Sequence, residues 1–106
     1  MPDDFINFLT ASPSSYHAAH AGAHLLPQAG FTRHTETDPW DAQPGGHYLI
    51  RGGALIAWHI PTQLPTQPAF RIIGAHTDSP GFKLKHTPDH TTYGFNQAAV
   101  EIYGGP

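Results

Sequence analysis

Cysteine is absent from the 106-residue sequence, which excludes both disulfide bonds and thiolate metal sites. Any metal must therefore bind to imidazole and carboxylate groups. The sequence also lacks an apolar run of membrane-spanning length, and its acidic first four residues do not have the basic and then apolar layout of a secretory signal. We therefore expect a soluble, cytoplasmic protein with no membrane partner.

Charged residues are scarce as well, at 12% of the chain, and only five of them are basic. Five basic residues and a net charge of -3 cannot provide a surface that follows phosphates, so we expect no nucleic-acid partner. Glycine and proline, with 11 residues each, favour a domain rich in turns. Histidine is plentiful, with nine residues, so the charge of the chain responds to mildly acidic pH.

The order of apolar residues predicts two helices followed by strands. We expect a short amphipathic helix at residues 3–10 and an alanine-rich helix at residues 16–29. Serine side chains before the second helix can cap its start, Gly30 can cap its end, and Pro27 favours an earlier end.

Strands are predicted from residue 47 onward. Residues 47–51 and 54–60 flank two glycines, which is typical of a β-hairpin with a two-residue turn. The apolar run at residues 69–75 suits a strand that is buried on both faces of a sheet. Two further extended segments are expected at residues 82–85 and 93–103. A chain of this length makes one domain, and the pattern predicts an α/β fold with the N-terminal helices on a mixed β-sheet.

The sharpest chemical signal follows the apolar run, where the sequence reads His76, Thr77, Asp78. Open α/β folds place ligand sites at the carboxyl ends of strands. In an extended strand His76 and Asp78 would lie on the same side, so the carboxylate could orient the imidazole or meet a bound substrate. The alternative is a buried, hydrogen-bonded histidine and an aspartate that caps a turn, because a His-x-Asp spacing is common by chance.

Other ionisable groups are weaker candidates. They are the helix row His17, His20 and His24, the isolated strand residue Glu101, and the group His86, Asp89 and His90 in a turn-like stretch around a proline. The row could bind a metal or relay protons, but a solvated helix surface is the more frequent explanation. A carboxylate on the wet face of a strand explains Glu101, and a solvated loop explains the third group.

The string RIIGAHTDSP at residues 71–80 resembles the signature of the aspartyl aminopeptidase family of zinc metallopeptidases. Further segments resemble other parts of that family in the same order; they are residues 8–19, 29–31, 44–48 and 100–106, together with Trp40. The likeness therefore spans nearly the whole chain. Gly81 is a departure, because a bulkier or sulfur-containing residue is expected there in many relatives.

The resemblance implies an exopeptidase that removes an N-terminal Asp or Glu from peptides and forms a large homo-oligomer. It also implies two metal ions, usually zinc, which polarise the scissile carbonyl and activate a water while a Glu acts as general base. By position, His76 matches the first metal ligand of the family. Asp78 matches the catalytic acid two residues further on, which supports that ligand and the site.

The family's other ligands, its general base and its oligomerisation domain correspond to sequence after residue 106. We therefore expect residues 1–106 to be an incomplete, N-terminal portion of the catalytic domain, the first part of a three-layer α/β/α fold. One imidazole with one neighbouring carboxylate cannot hold a catalytic zinc, which needs about three protein ligands, so the isolated chain should be inactive. The alternatives are a truncated, non-catalytic α/β module that lacks most of the metal site and a pH-responsive, histidine-rich binding module.

Overall fold

The structure is a computed structural model that describes residues 2–41, 43–67 and 69–104. Its elements in chain order are helices α1 (Pro2–Thr10) and α2 (Ser15–Leu25), a 3₁₀ turn (Pro27–Ala29), and strands β1 (Thr32–Arg33), β2 (Gly45–Arg51), β3 (Ala54–Ile60), β4 (Gly81–Thr92) and β5 (Phe95–Tyr103). Within these ranges, no helix is long and apolar enough to cross a membrane.

Local sequence explains where α2 begins and ends. The Ser14 hydroxyl accepts a hydrogen bond from the backbone N–H of His17 at 3.4 Å, which caps the first turn. Pro27 begins the 3₁₀ turn because it cannot continue the α-helical hydrogen bonding, and Gly30 closes that turn with a left-handed φ of 79°. The second helix is therefore confirmed, and it ends at Leu25, before the proline.

The first sheet has the order β1-β2-β3, and it is mixed as predicted. Strands β2 and β3 pair antiparallel, and Arg51 opposite Ala54 leaves Gly52 and Gly53 as the turn. Gly52 has a φ of 57°, a conformation that favours glycine. Strand β1 pairs parallel with β2 over two residues only, which is too short to leave a periodic signal in the sequence.

The core lies between α2 and the β2–β3 hairpin. Its buried apolar residues are Ala19 and Ala23 on α2 and Tyr48 and Leu49 on β2. Alanine on the helix face lets the backbone approach the sheet closely, so the larger side chains come from the strand. Helix α1 packs chiefly on α2, so the expectation that helices cover the sheet is met mainly by α2.

Residues 69–75 do not form the doubly buried strand that their composition predicts. They belong to neither sheet, and Ile72 and Ile73 are 88% and 98% exposed. A doubly buried strand needs a paired neighbour and cover on both faces. No part of the described chain pairs with residues 69–75, so the apolar side chains remain in contact with solvent.

Strands β4 and β5 form a separate antiparallel hairpin. Tyr93 and Gly94 both have positive φ, at 51° and 77°, as a tight two-residue hairpin turn requires. The turn predicted around Pro88 is wrong, because that residue lies within β4, where the pairing register shifts between Leu84 and Asp89. Proline has no N–H to donate to a strand pair, so an irregular register accommodates it.

Candidate active site

His76 and Asp78 lie in the connection between residues 69–75 and β4. The Nδ1 of His76 is hydrogen-bonded to the backbone carbonyl oxygen of Asp78, and it lies 3.8 Å from the carboxylate Oδ1 of the same residue. A carbonyl oxygen only accepts, so Nδ1 carries the proton in this arrangement. In the neutral ring, Nε2 of His76 is then the nitrogen with a lone pair available to a metal.

The site is open to solvent. The His76 side chain is 62% exposed and that of Asp78 is 44% exposed. The alternative of a buried core histidine is therefore wrong for this structure. The short contact between the two residues arises from the turn itself, because the chain bends back within two positions.

Thr77 connects this turn to the first sheet. Its Oγ1 donates a hydrogen bond to the backbone oxygen of Gly53 at 2.7 Å, and this contact is partly buried. Gly53 lies in the β2–β3 turn and also against the first residue of α2, because a Cβ at this position would lie 2.8 Å from Ser15 Oγ. The start of α2, the hairpin turn and the His76 segment therefore meet at one place.

Two open cavities flank the segment. The larger one, about 500 Å³, is lined by His76 and Thr77 together with apolar side chains of α1, α2 and β3. The smaller one, about 160 Å³, is lined by Asp78 together with the serines before α2 and with Phe82 and Tyr103 of the second hairpin. The two candidate residues therefore contribute to neighbouring cavities, one mainly apolar and the other more polar.

The described residues supply only part of a metal-binding site. The free Nε2 of His76 fits the role of one ligand. However, the described residues contain no group of three or more His, Cys, Asp or Glu side chains that could hold an ion. Because a catalytic zinc needs about three protein ligands, the described residues do not fit a complete zinc site.

The weaker candidates have structural roles or are exposed to solvent. The Nδ1 of His17 lies 2.7 Å from the capping hydroxyl of Ser14, so this ring belongs to the start of α2. Glu101 lies opposite Lys83 in the β4–β5 register, where opposite charges are favourable across a strand pair. His20 and His24 are exposed on α2, and His86, Asp89 and His90 are exposed along β4.

Sequence reasoning missed a histidine pair on the first sheet. The Nε2 of His34 lies 2.8 Å from Nδ1 of His47, whose own Nε2 lies 2.8 Å from the carbonyl oxygen of Gln43. The His47 ring stacks on Trp58 with 5.6 Å between ring centroids, and Trp58 stacks on Trp40 at 5.5 Å. The position of His47 opposite Trp58 could have been predicted from the hairpin register. His34 could not, because it follows the two-residue strand β1, which leaves no periodic signal in the sequence.

Comparison with known proteins shows the family to which the chain belongs. The family model for the aminopeptidase I zinc metalloproteases (M18) matches residues 8–106. A probable M18 family aminopeptidase 2 from Streptomyces avermitilis is 54% identical over 104 residues, which are 98% of this chain and 24% of that protein. Its counterpart from Mycobacterium tuberculosis is 41% identical over 98 residues, which are 92% of this chain and 23% of that protein.

A solved structure agrees on the fold. A chain in the cryo-EM structure of the Ape4 and Nbr1 complex superposes with a TM-score of 0.78 and 36% identity, over 96% of this chain and 20% of that one. The present chain therefore spans about a quarter of the length of the curated relatives it matches. On the match over residues 8–106, the chain belongs to the M18 family of zinc metalloprotease aminopeptidases.

Proposed function

We propose that residues 1–106 are the N-terminal portion of the catalytic domain of a metalloaminopeptidase that removes N-terminal Asp or Glu from peptides with two metal ions. The observation that carries the proposal is the exposed imidazole of His76, with Nε2 free and Asp78 beside it. Family membership supports aminopeptidase chemistry. The acidic specificity, the number of ions and a homo-oligomeric assembly come from the resemblance of the sequence.

In this proposal His76 is one metal ligand. Its hydrogen bond to the Asp78 carbonyl fixes the tautomer that leaves Nε2 unprotonated. The negative charge of the nearby Asp78 carboxylate stabilises the partial positive charge that the imidazole takes on when it binds a metal. A bound metal would supply Lewis-acid polarisation of the scissile carbonyl and a more acidic water. The remaining ligands and the general base are supplied by the rest of the protein.

The test uses the full-length protein and peptide substrates that differ only in the first residue, Asp, Glu or Leu. We expect hydrolysis of the acidic substrates, loss of activity with a chelator, and recovery when zinc is restored. His76→Ala should lower kcat/KM by at least about 100-fold, because a metal ligand matters at least as much as the groups that support it. His59→Ala is the matched control, since His59 is an exposed histidine on β3.

Activity that persists both with chelator and in His76→Ala would contradict the proposal. Equal hydrolysis of the Leu and Asp substrates would remove the acidic specificity alone. Calorimetric titration of the 106-residue chain with zinc gives a second check. Because the described residues hold no cluster of three metal-binding side chains, we expect no tight, stoichiometric binding.

A further inference from the structure

We propose that Thr77 is a positioning residue, which fixes His76 and Asp78 by tethering their turn to the β2–β3 hairpin. The inference rests on the proposed function, in which His76 is a metal ligand. Thr77 Oγ1 donates to the Gly53 oxygen at 2.7 Å, across 24 positions of sequence. This bond joins the candidate site to the part of the molecule that contains the buried core.

The turn needs such a tether because regular pairing does not hold it. Residues 69–80 belong to neither of the two sheets in the described chain. The His76 side chain is 62% exposed, so packing restrains it little, whereas that of Asp78 is 44% exposed. Thr77 is the residue between them, and its Cα lies about 3.8 Å from each neighbouring Cα. A restraint on Thr77 therefore limits the positions that both functional side chains can take.

The acceptor of this hydrogen bond is itself held firmly. Gly53 lies in a two-residue turn whose flanking residues, Arg51 and Ala54, are paired. Its open side is filled by α2, because a Cβ on Gly53 would lie 2.8 Å from Ser15 Oγ and 3.1 Å from Ser15 Cβ. The capped start of α2 thus packs against the turn, and Thr77 is hydrogen-bonded to it.

Two substitutions separate the effect of the Thr77 hydroxyl from the effect of its side-chain shape. Valine has nearly the shape of threonine but cannot donate, whereas serine keeps the donor and loses only the methyl group. The Thr77 hydroxyl uses its proton on the Gly53 carbonyl, so it acts on the site through its neighbours in sequence. Precise placement of a metal ligand by such supporting contacts is worth about 10- to 100-fold in metal affinity or activity.

The experiment compares the full-length wild-type protein with Thr77→Val, Thr77→Ser and Thr91→Val. Thr91 is the matched control, because its hydroxyl donates to Asn96 within the second hairpin. Zinc affinity is measured by competition with a chelator, and kcat and KM are measured separately. Crystallographic B-factors of residues 76–79 in the metal-free protein, taken relative to those of β2 and β3, give a readout that does not depend on activity.

We expect Thr77→Val to weaken zinc binding and lower kcat by about 10- to 100-fold, with little change in KM. In Thr77→Val, residues 76–79 should have higher relative B-factors than in the wild type. Thr77→Ser should stay close to the wild type in all three measurements, and so should Thr91→Val. Should Thr77→Val not yield folded protein, Thr77→Ala removes the same donor and is compared with Thr77→Ser in the same way.

Two results would overturn the inference. One is a Thr77→Val protein with wild-type zinc affinity, kcat and B-factors at residues 76–79; the other is a Thr77→Ser protein impaired as much as Thr77→Val. Failure of the proposed function looks different, because the wild type itself would then show no zinc-dependent hydrolysis and His76→Ala would change nothing. In that case the relative B-factors of residues 76–79 still decide whether Thr77 holds the turn.

Discussion

Gly46→Ala offers a direct test of how the first sheet is packed. Gly46 lies in β2, and a Cβ built on it would lie 2.6 to 2.8 Å from three ring carbons of Phe31. Ordinary carbon–carbon contact is about 3.5–4.0 Å, so the Phe31 ring must move by roughly 1 Å. The Phe31 backbone is held in place by the hydrogen bond of its N–H to the Leu26 carbonyl at 3.0 Å, so the ring must move by rotation about its side-chain bonds.

The expected loss in the free energy of unfolding follows from two opposing effects. Overpacking of this kind costs about 1–3 kcal/mol. Alanine also restricts the unfolded chain more than glycine does, which raises the free energy of unfolding by about 0.4–1 kcal/mol. With the middle of each range, about 2 and about 0.7 kcal/mol, we expect Gly46→Ala to lower the free energy of unfolding by about 1.3 kcal/mol.

The assay is urea unfolding of the 106-residue chain, followed by the fluorescence of its two tryptophans. Gly81→Ala is the matched control, because the nearest atom to its added Cβ would be 3.9 Å away. If the clash with the ring causes the loss, Phe31→Ala combined with Gly46→Ala should cost less than the sum of the two single changes. A Gly46→Ala protein within 0.5 kcal/mol (roughly the scatter of harmless substitutions) of the wild type would refute the reasoning.

Three further predictions concern stability, measured by urea unfolding and circular dichroism. Ser14→Ala should cost about 1 kcal/mol through loss of the α2 cap, and Ser14→Gly only a few tenths; equal costs would contradict the capping role. Leu49→Ala should cost about 2–5 kcal/mol because Leu49 is buried, whereas Leu64→Ala should stay within about 0.5 kcal/mol because Leu64 is 70% exposed. The exposed ion pair of Arg51 and Glu36, at 3.1 Å, should contribute less than about 1 kcal/mol in a double-mutant cycle, and added salt should reduce that further.

The sequence was informative where structure is decided locally. The start of α2 depends on the capping Ser14 and its early end on Pro27, so both could be predicted without any tertiary information, while Gly30 closes the 3₁₀ turn and not the helix. The β2–β3 hairpin was equally clear, because two glycines between two largely apolar runs specify the turn. The mixed α/β class followed from these elements.

The failures have one physical cause, which is that burial depends on partners elsewhere in the chain. Residues 69–75 have the composition of a buried strand, but no described segment pairs with them. The pattern around Pro88 indicated a turn, although the long pairing of β4 with β5 tolerates a register shift there.

The candidate site was predicted only as a pair of residues. The spacing of His76 and Asp78 singled them out, and the structure shows that their contact runs chiefly through the Asp78 carbonyl. Their assignment as metal ligand and catalytic acid remains a prediction. The tether from Thr77 to Gly53 could not be foreseen, because it joins distant residues through a side chain and a backbone oxygen.

The packing of α2 on the β2–β3 hairpin also bears on the order of folding. All of the buried apolar residues of this core lie between residues 15 and 60, so it closes through short loops at low entropic cost. The helix–hairpin unit is thus complete in sequence before β4 begins, and it can serve as the preformed template onto which the turn with Thr77 docks.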